Sequence, residues 1–197
     1  MDRTILRLGP QHREAAVETL AAAFHDDPAI SWLMPDPARR ARSLPRLIGW
    51  MVDEHLLNGF VLGSPGCEVV TLWRPPGAMH LKEPLWHPAM LRFVPIFGHR
   101  IWRAAVLDGV IHRHLPGEER WLYLRMAGVR PDRQGKGLGG LAIRAGLAEG
   151  ERLGVPAVLE TATESNLALY RNLGFEVESD WPVPFGGPHF WTMHRKI

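Results

Sequence analysis

Two residue types are scarce in this chain of 197 residues: it has one cysteine, Cys67, and two tyrosines, Tyr123 and Tyr170. A single cysteine excludes an intramolecular disulfide and suits a reducing compartment. Cys67, at the start of a strand-like run, reads as a small buried hydrophobe. No apolar run reaches the roughly 20 residues of a membrane-spanning helix. The opening "MDRTILRLGPQHRE" is charged throughout and lacks a signal-peptide core. Charge is balanced, with 23 Lys+Arg against 21 Asp+Glu. No block of like charges offers a footprint for nucleic acid. Repeats and low-complexity segments are also missing. The expectation is one cytoplasmic domain over residues 1–197, a monomer or homodimer, that engages neither nucleic acid nor membrane.

The residues that are present alternate between strand and helix patterns. "TILRLG" reads as a short strand, and residues 11–24 place Ala15, Val17, Leu20, Ala21 and Phe24 on one helical face. "HDDPAISWLMPDP" reads as a proline-broken loop. A helix follows from Pro37 to a stop at Asn58-Gly59, with Pro45 ending its first segment or kinking it. "FVLG" and "EVVTLWRP" pair around "SPG". Residues 78–115 form a helical insertion rich in Trp and Phe, interrupted at Pro95 and Gly98. "RWLYLRMAGV" is a strand. "GLGGLAIRAGLAEGERLG" is a helix with Leu138, Leu141, Ala142, Ala145 and Leu153 on its apolar stripe and Gly154 as its stop. "VPAVLET" is a strand, "SNLALYRNLGF" a short helix capped by Ser165 or Asn166, and "FEVESDW" with "HFWTMHRKI" an antiparallel pair. One strand–helix–strand crossover among hairpins implies an α/β (α+β) fold with a mixed sheet.

The stretch "VRPDRQGKGLGG" (residues 129–140) leads into a helix, where about four backbone N–H groups lack partners and a partial positive charge gathers. Such a helix start suits a phosphate group. A Walker-type loop would need a hydroxyl after Gly135-Lys136, and Gly137 stands there instead. Gly135, Gly137 and Gly140 match the dinucleotide fingerprint, with Glu160 near the place of a ribose-binding acid. However, "RPDRQ" separates the motif from its strand, and too few residues follow to build a nucleotide-binding sheet. Gln134, Gly137 and Gly139 fit a third pattern, Q/R-x-x-G-x-G/A. The ten histidines include His112 and His114, two apart, with no accompanying H-E-x-x-H, and no metal is expected.

With "LETATESNLALYRNLGF" following in order, residues 121–176 resemble the GNAT N-acetyltransferases. "TLAAAFHDDP", "DRQGKGLGG", "GVPAVLET", "NLALYRNLGF" and "MHRKI" are similar to the puromycin N-acetyltransferase group, whereas residues 29–118 match it poorly. The resemblance implies the GNAT fold: a mixed, mostly antiparallel sheet of about seven strands, splayed between the fourth and fifth and flanked by helices. It implies acetyl-coenzyme A as acyl donor, its pyrophosphate held at Gln134, Gly135, Lys136, Gly137, Leu138, Gly139 and Gly140. The pantothenate amides would pair with Ala127 and Val129, with Gly128 between them at a bulge, and Asn166 would hold the coenzyme arm.

Tyr170 matches the family's general acid and Glu160 the base that some relatives use. Tyr123, which strand alternation puts on the same face as Arg125 and Ala127, is a proton relay or a cleft wall. Asp26 and Asp27 are further contenders for the base. The acceptor implied is a small-molecule primary amine, enclosed by residues 24–50 and the insertion. Among the aromatic side chains there, which include Trp86, Trp73 is the expected pocket wall. The alternatives are an acyl-coenzyme sensor without activity, an enzyme acting on a protein or peptide amine, and, remotely, an NAD(P)-dependent oxidoreductase.

Overall fold

The computed structural model describes residues 4–79, 88–116 and 120–197. One seven-stranded sheet carries the order β1-β2-β3-β4-β5-β7-β6. Its strands are β1 (Leu6–Arg7), β2 (Phe60–Gly63), β3 (Val69–Arg74), β4 (Leu122–Val129), β5 (Ala157–Thr161), β6 (Glu176–Pro182) and β7 (His189–Arg195). Neighbours are antiparallel except β4 and β5, which are parallel. That parallel contact pairs only Leu122–Leu124 with Ala157–Leu159. β4 runs on to Val129 along β3, so the two strands part beyond Leu124. The expected class, strand number and splay all hold.

The helices are α1 (Arg13–Ala23), α2 (Pro28–Leu33), α3 (Pro37–Asn58), α4 (Val94–Phe97), α5 (Ile101–His114), α6 (Leu138–Leu153) and α7 (Leu167–Arg171). The described part of the insertion, residues 88–115, is helical as expected; a break falls at Gly98, whose φ is +58°, whereas Pro95, expected to interrupt it, sits in the first turn of α4. Three other details differ from the sequence reading. α1 buries Ala16, Thr19 and Leu20 because the Thr19 hydroxyl donates to the Cys67 carbonyl at 2.6 Å. A hydrogen-bonded polar residue can thus hold a core position that an apolar count overlooks. The stretch expected as a loop contains α2, with Pro28 in its first turn and Asp27 as its cap. α3 also runs unbroken through Pro45. Leu44, Leu47 and Ile48 around it are buried, and their packing offsets the lost backbone bond.

α6 presents Gly146, Leu147 and Gly150 to the sheet, while Leu153 is 42% exposed. The stripe drawn through Leu153 is therefore displaced. Glycines occupy the inward face because the sheet lies too close for side chains: a Cβ at Gly146 would stand 2.2 Å from the Trp73 ring. Trp73 itself is fully buried, stacked on Phe60 and donating to the Thr71 hydroxyl at 2.8 Å. It is a core residue beneath α6, and the expectation that it walls the acceptor pocket is corrected. Among the described residues no helix is long and apolar enough to cross a membrane.

Gly146→Ala should lower stability by about 1–3 kcal/mol through overpacking, although alanine is the better helix former by about 1 kcal/mol. In a melting curve that is a fall of about 2–4 °C per kcal/mol. An unchanged midpoint would mean that the ring has room to move.

Candidate active site

Where β4 and β5 part, three side chains converge. Arg125 and Glu160 are the first residues beyond the last parallel pair, Leu124 and Leu159. Arg125 is also the extra residue of a bulge, since Trp73 faces Leu124 while Leu72 faces Met126. Alternation keeps Arg125 on the side of Tyr123, while the bulge puts Met126 on that side too and sends Ala127 towards the cluster under α6 and α7. The pairing of Tyr123 with Arg125 therefore follows the strand pattern, and the inclusion of Ala127 on that face is corrected. Gly128 lies in regular register with Val70. A Cβ there would press on Leu20 and Ala23 of α1, at 2.8 and 3.1 Å, so it is kept small by helix packing, and the expected bulge sits three residues earlier.

The Arg125 Nη1 donates to both the Tyr123 hydroxyl and Glu160 Oε1, each at 2.8 Å, and the Tyr123 hydroxyl donates to the same carboxylate oxygen. Glu160's side chain is 4% exposed, and its other oxygen, Oε2, is buried with no hydrogen-bond partner among the described residues. Burial raises the Glu160 carboxyl above its ordinary value, against the pull of Arg125 and the hydrogen bond from Tyr123. Burial likewise raises the Tyr123 phenol well above the usual range.

Glu160, Arg125, Asn166 and Tyr170 line one cavity of about 500 Å³. Its remaining wall is mostly apolar, with Trp50, Phe93 and Phe97 from α3 and the insertion. Phe93 stands edge-on to Trp50 with centroids 4.9 Å apart. Tyr170 is 7% exposed; burial, then the charges of Glu160 and Asp27, push its phenol well above the ordinary value. Asn166 occupies the cap position of α7 without using its side chain as a cap. Asp27 also lines the cavity, but its Oδ1 caps α2 by accepting from Ala29 and Ile30 at 2.9 and 3.1 Å. Asp26 is exposed and paired with Arg40 and His25. Trp86 lies outside the described residues.

The sequence pattern assigns no role to Arg74 and His55, which also line the cavity. Arg74 donates to Glu54 at 2.5 Å and to His55 Nε2 at 3.3 Å. Burial drives the His55 pKa down to about 3, so its ring is neutral. A histidine within a helix and an arginine ending a strand carry no motif that marks them.

The glycine loop lies at the start of α6. Gly135 and Gly137 are left-handed, with φ of +74° and +78°, and a Cβ built at either meets nothing within 4 Å. Glycine is needed there for backbone conformation, and the space above the loop is open. Gln134 Nε2 donates to the Val129 carbonyl at 3.2 Å, which ties the loop to the end of β4, and Lys136 Nζ donates to the Asp132 carbonyl at 3.2 Å within the loop. Leu138 is buried on Val69 and Ala142, with Val129 against them. Gly139 and Gly140 fall in the first turn of α6, where added Cβ atoms would approach Val129 and Leu169 at 3.4 and 3.6 Å. A diphosphate fits this arrangement: open space, bare backbone and the positive end of a 16-residue helix.

Fold and site together define a mixed-sheet α/β framework with a glycine-rich helix start and a cavity at the fork of the sheet. Residues 89–175 match the model of the acetyltransferase (GNAT) family. A crystal structure from Corynebacterium glutamicum, described as histone acetyltransferase HPA2 and related acetyltransferase, is similar at TM-score 0.77 and 22% identity, covering 98% of this chain and 95% of that one. Drosophila melanogaster polyamine N-acetyltransferase, which forms N-acetylagmatine, is similar at TM-score 0.61 and 15% identity, covering 98% and 99%. Arylalkylamine N-acetyltransferase 2 from Aedes aegypti gives TM-score 0.63 and 12% identity, covering 98% of each chain.

Asp27→Ala should cost about 1 kcal/mol by stripping the cap of α2, and Asp27→Asn, which keeps an accepting oxygen, should cost little. Equal losses in denaturant melts would show that the charge of Asp27 matters more than its cap.

Proposed function

We propose that this protein transfers the acetyl group of acetyl-coenzyme A to the primary amine of a small molecule, directly, in a ternary complex. The observation that carries this reading is Glu160 Oε2: a buried, unpartnered carboxylate oxygen in a cavity shared with the Tyr170 phenol. An amine gives such an oxygen the hydrogen bond it lacks. The mostly apolar wall suits an amine with an apolar or aromatic body. In our reading the similarity to the puromycin N-acetyltransferase group stands as the nearest subgroup, and the protein acts in the cytoplasm.

Acetyl-coenzyme A, when bound, supplies a thioester whose C–S bond breaks as the C–N bond to the acceptor forms. Gly135 to Gly140 would hold the diphosphate by backbone N–H groups at the head of α6. The exposed edge of β4 at Ala127 and Val129 would take the pantothenate amides as an added strand, and Asn166 would hold the coenzyme arm. Glu160 removes the proton that the amine nitrogen must lose, either directly or through a water. Oε2 is the atom for that task, because Arg125 and Tyr123 occupy Oε1. The Tyr170 phenol gives its proton to the departing thiolate. Its raised pKa keeps it protonated throughout the neutral range, as an acid requires.

Tyr170→Phe should lower kcat about a hundredfold while leaving acetyl-coenzyme A affinity by calorimetry nearly intact; unchanged turnover removes Tyr170 from the chemistry. The pH dependence follows from the same groups. kcat/KM should climb with pH as Glu160 loses its proton, with a midpoint above the ordinary carboxylate value of about 4.3. No fall assignable to Tyr170 should appear below about pH 10. A climb that persists unchanged in Glu160→Gln would identify another base. Gly137→Ala, which forces a side chain into left-handed backbone, should weaken acetyl-coenzyme A binding about tenfold.

A further inference from the structure

The turn between β6 and β7 holds Phe185 in an unusual state. Its φ is +62°, a conformation that a bulky side chain rarely adopts, and it is followed by Gly186 at +70°. Two backbone bonds close this turn, Val183 N–H to the Pro188 carbonyl at 2.9 Å and Gly187 N–H to the Val183 carbonyl at 3.2 Å. The backbone is thus held while the ring stays 71% exposed. Strain of this kind persists only where surroundings impose it, and it gathers at ligand clamps.

The ring is not isolated. Phe185 stands edge-on to Trp102 of α5, with centroids 5.5 Å apart at 87°. Trp102 in turn stands edge-on to Trp32 of α2 at 6.3 Å and 83°. Arg103 lies over both indoles, at 5.0 and 5.4 Å, and donates to the Trp32 carbonyl at 2.6 Å. Trp102 lines the cavity that contains Glu160, yet it is 43% exposed, which puts it at the opening. A second contact fixes the turn's parent hairpin to the far end of α5: His114 stacks on Trp181 with centroids 4.4 Å apart. Three separate elements therefore bring aromatic rings to one mouth, and none of the three is buried.

Resting on the acetyl-transfer reading above, we propose that Phe185, Trp102 and Trp32 form an aromatic rim that selects amines by the group they carry at the far end from the nitrogen. The amine nitrogen reaches Glu160 inside the cavity, and a flat apolar terminus of the acceptor packs against the exposed surface that Phe185 and Trp102 form together at the mouth. Phe185 is a specificity residue in this scheme and takes no part in the proton transfers. A short alkylamine, held wholly inside, does not touch it.

The test uses the full chain with butylamine and 4-phenylbutylamine as probes, and the variants Phe185→Asn and Phe185→Tyr. Asparagine tolerates left-handed backbone, so it removes the ring without adding strain, and tyrosine keeps the ring. In calorimetry Phe185→Asn should weaken 4-phenylbutylamine binding about 3–10-fold, leave butylamine unchanged and leave the melting midpoint unchanged or higher. Phe185→Tyr should bind both as the parent does. In turnover assays the loss should appear in KM for the aryl amine, with kcat retained. Equal effects on the two amines, no effect on either, or a marked fall in the melting midpoint overturns the rim, the last by showing that the ring is a structural bolt. Phe185-dependent binding without turnover of any amine would leave the rim standing and remove the acetyl-transfer reading. Turnover without Phe185 dependence would do the reverse.

Discussion

The ion pair between Arg125 and Glu160 at the fork of β4 and β5 is the contact on which the rest of the site depends. Two parallel strands that separate expose backbone that would otherwise be paired, and buried unpaired backbone is costly. Here the fork is closed by side chains: one guanidinium nitrogen serves the Tyr123 hydroxyl and a Glu160 oxygen together. A buried pair of this sort contributes little net stability, because desolvation consumes most of the attraction. Its value is positional. It satisfies one carboxylate oxygen and leaves the other, in the cavity, without a partner among the described residues. It also occupies the point where β4 bulges, which releases residues 126–129 from alignment with β5.

That arrangement separates two tasks along one strand. Up to Leu124, β4 is core: Leu122 and Leu124 pack with Ile143 and Leu147 of α6. Beyond the bulge it is an edge, with Val129 against the head of α6, so the glycine loop and the free backbone lie at the same end of the sheet. The close approach of α6 to the sheet is what Gly146 and Gly150 permit. Helix position, and through it the direction in which the bare N–H groups point, follows from that contact with Trp73.

The parts of this structure that were legible in the sequence are those set by local rules. Left-handed turns before a helix demand glycine, so Gly135 and Gly137 announced the loop. Alternation along "WLYLRMAGV" put Tyr123 and Arg125 together, and Leu-Gly after Tyr170 marked the end of α7. The parts that were not legible depend on what lies across the fold. Trp73 looked like a pocket wall because it stands near a strand end, but only the glycines of a helix some seventy residues later show that a cover fits over it. The bulge at Arg125 leaves no mark in composition, since any residue can be the extra one, whereas Gly128 suggested a bulge and instead makes room for α1. Pro45 was read by its backbone cost alone, which ignores the buried leucines on either side.

The cavity follows the same logic in reverse. Its floor, Glu160 with Tyr170, comes from the sheet and α7, whose positions are fixed by pairing and by the packing of Tyr170 on Phe175. Its walls come from α2, α3 and the insertion, which are not strands of the sheet. The hold of Arg74, at the end of β3, on Glu54, His55 and the carbonyl of Ala78 ties α3 and the start of the insertion to the sheet. A floor held by strand pairing and walls held by other elements let the shape of the cavity change while Glu160 and Tyr170 keep their places. In the proposed reading, substitutions at Trp50, Phe93 or Phe97 alter which amine fits without moving Glu160, whereas substitution of Arg125 leaves Oε1 to the Tyr123 hydroxyl alone and changes the setting of the carboxylate for every acceptor alike.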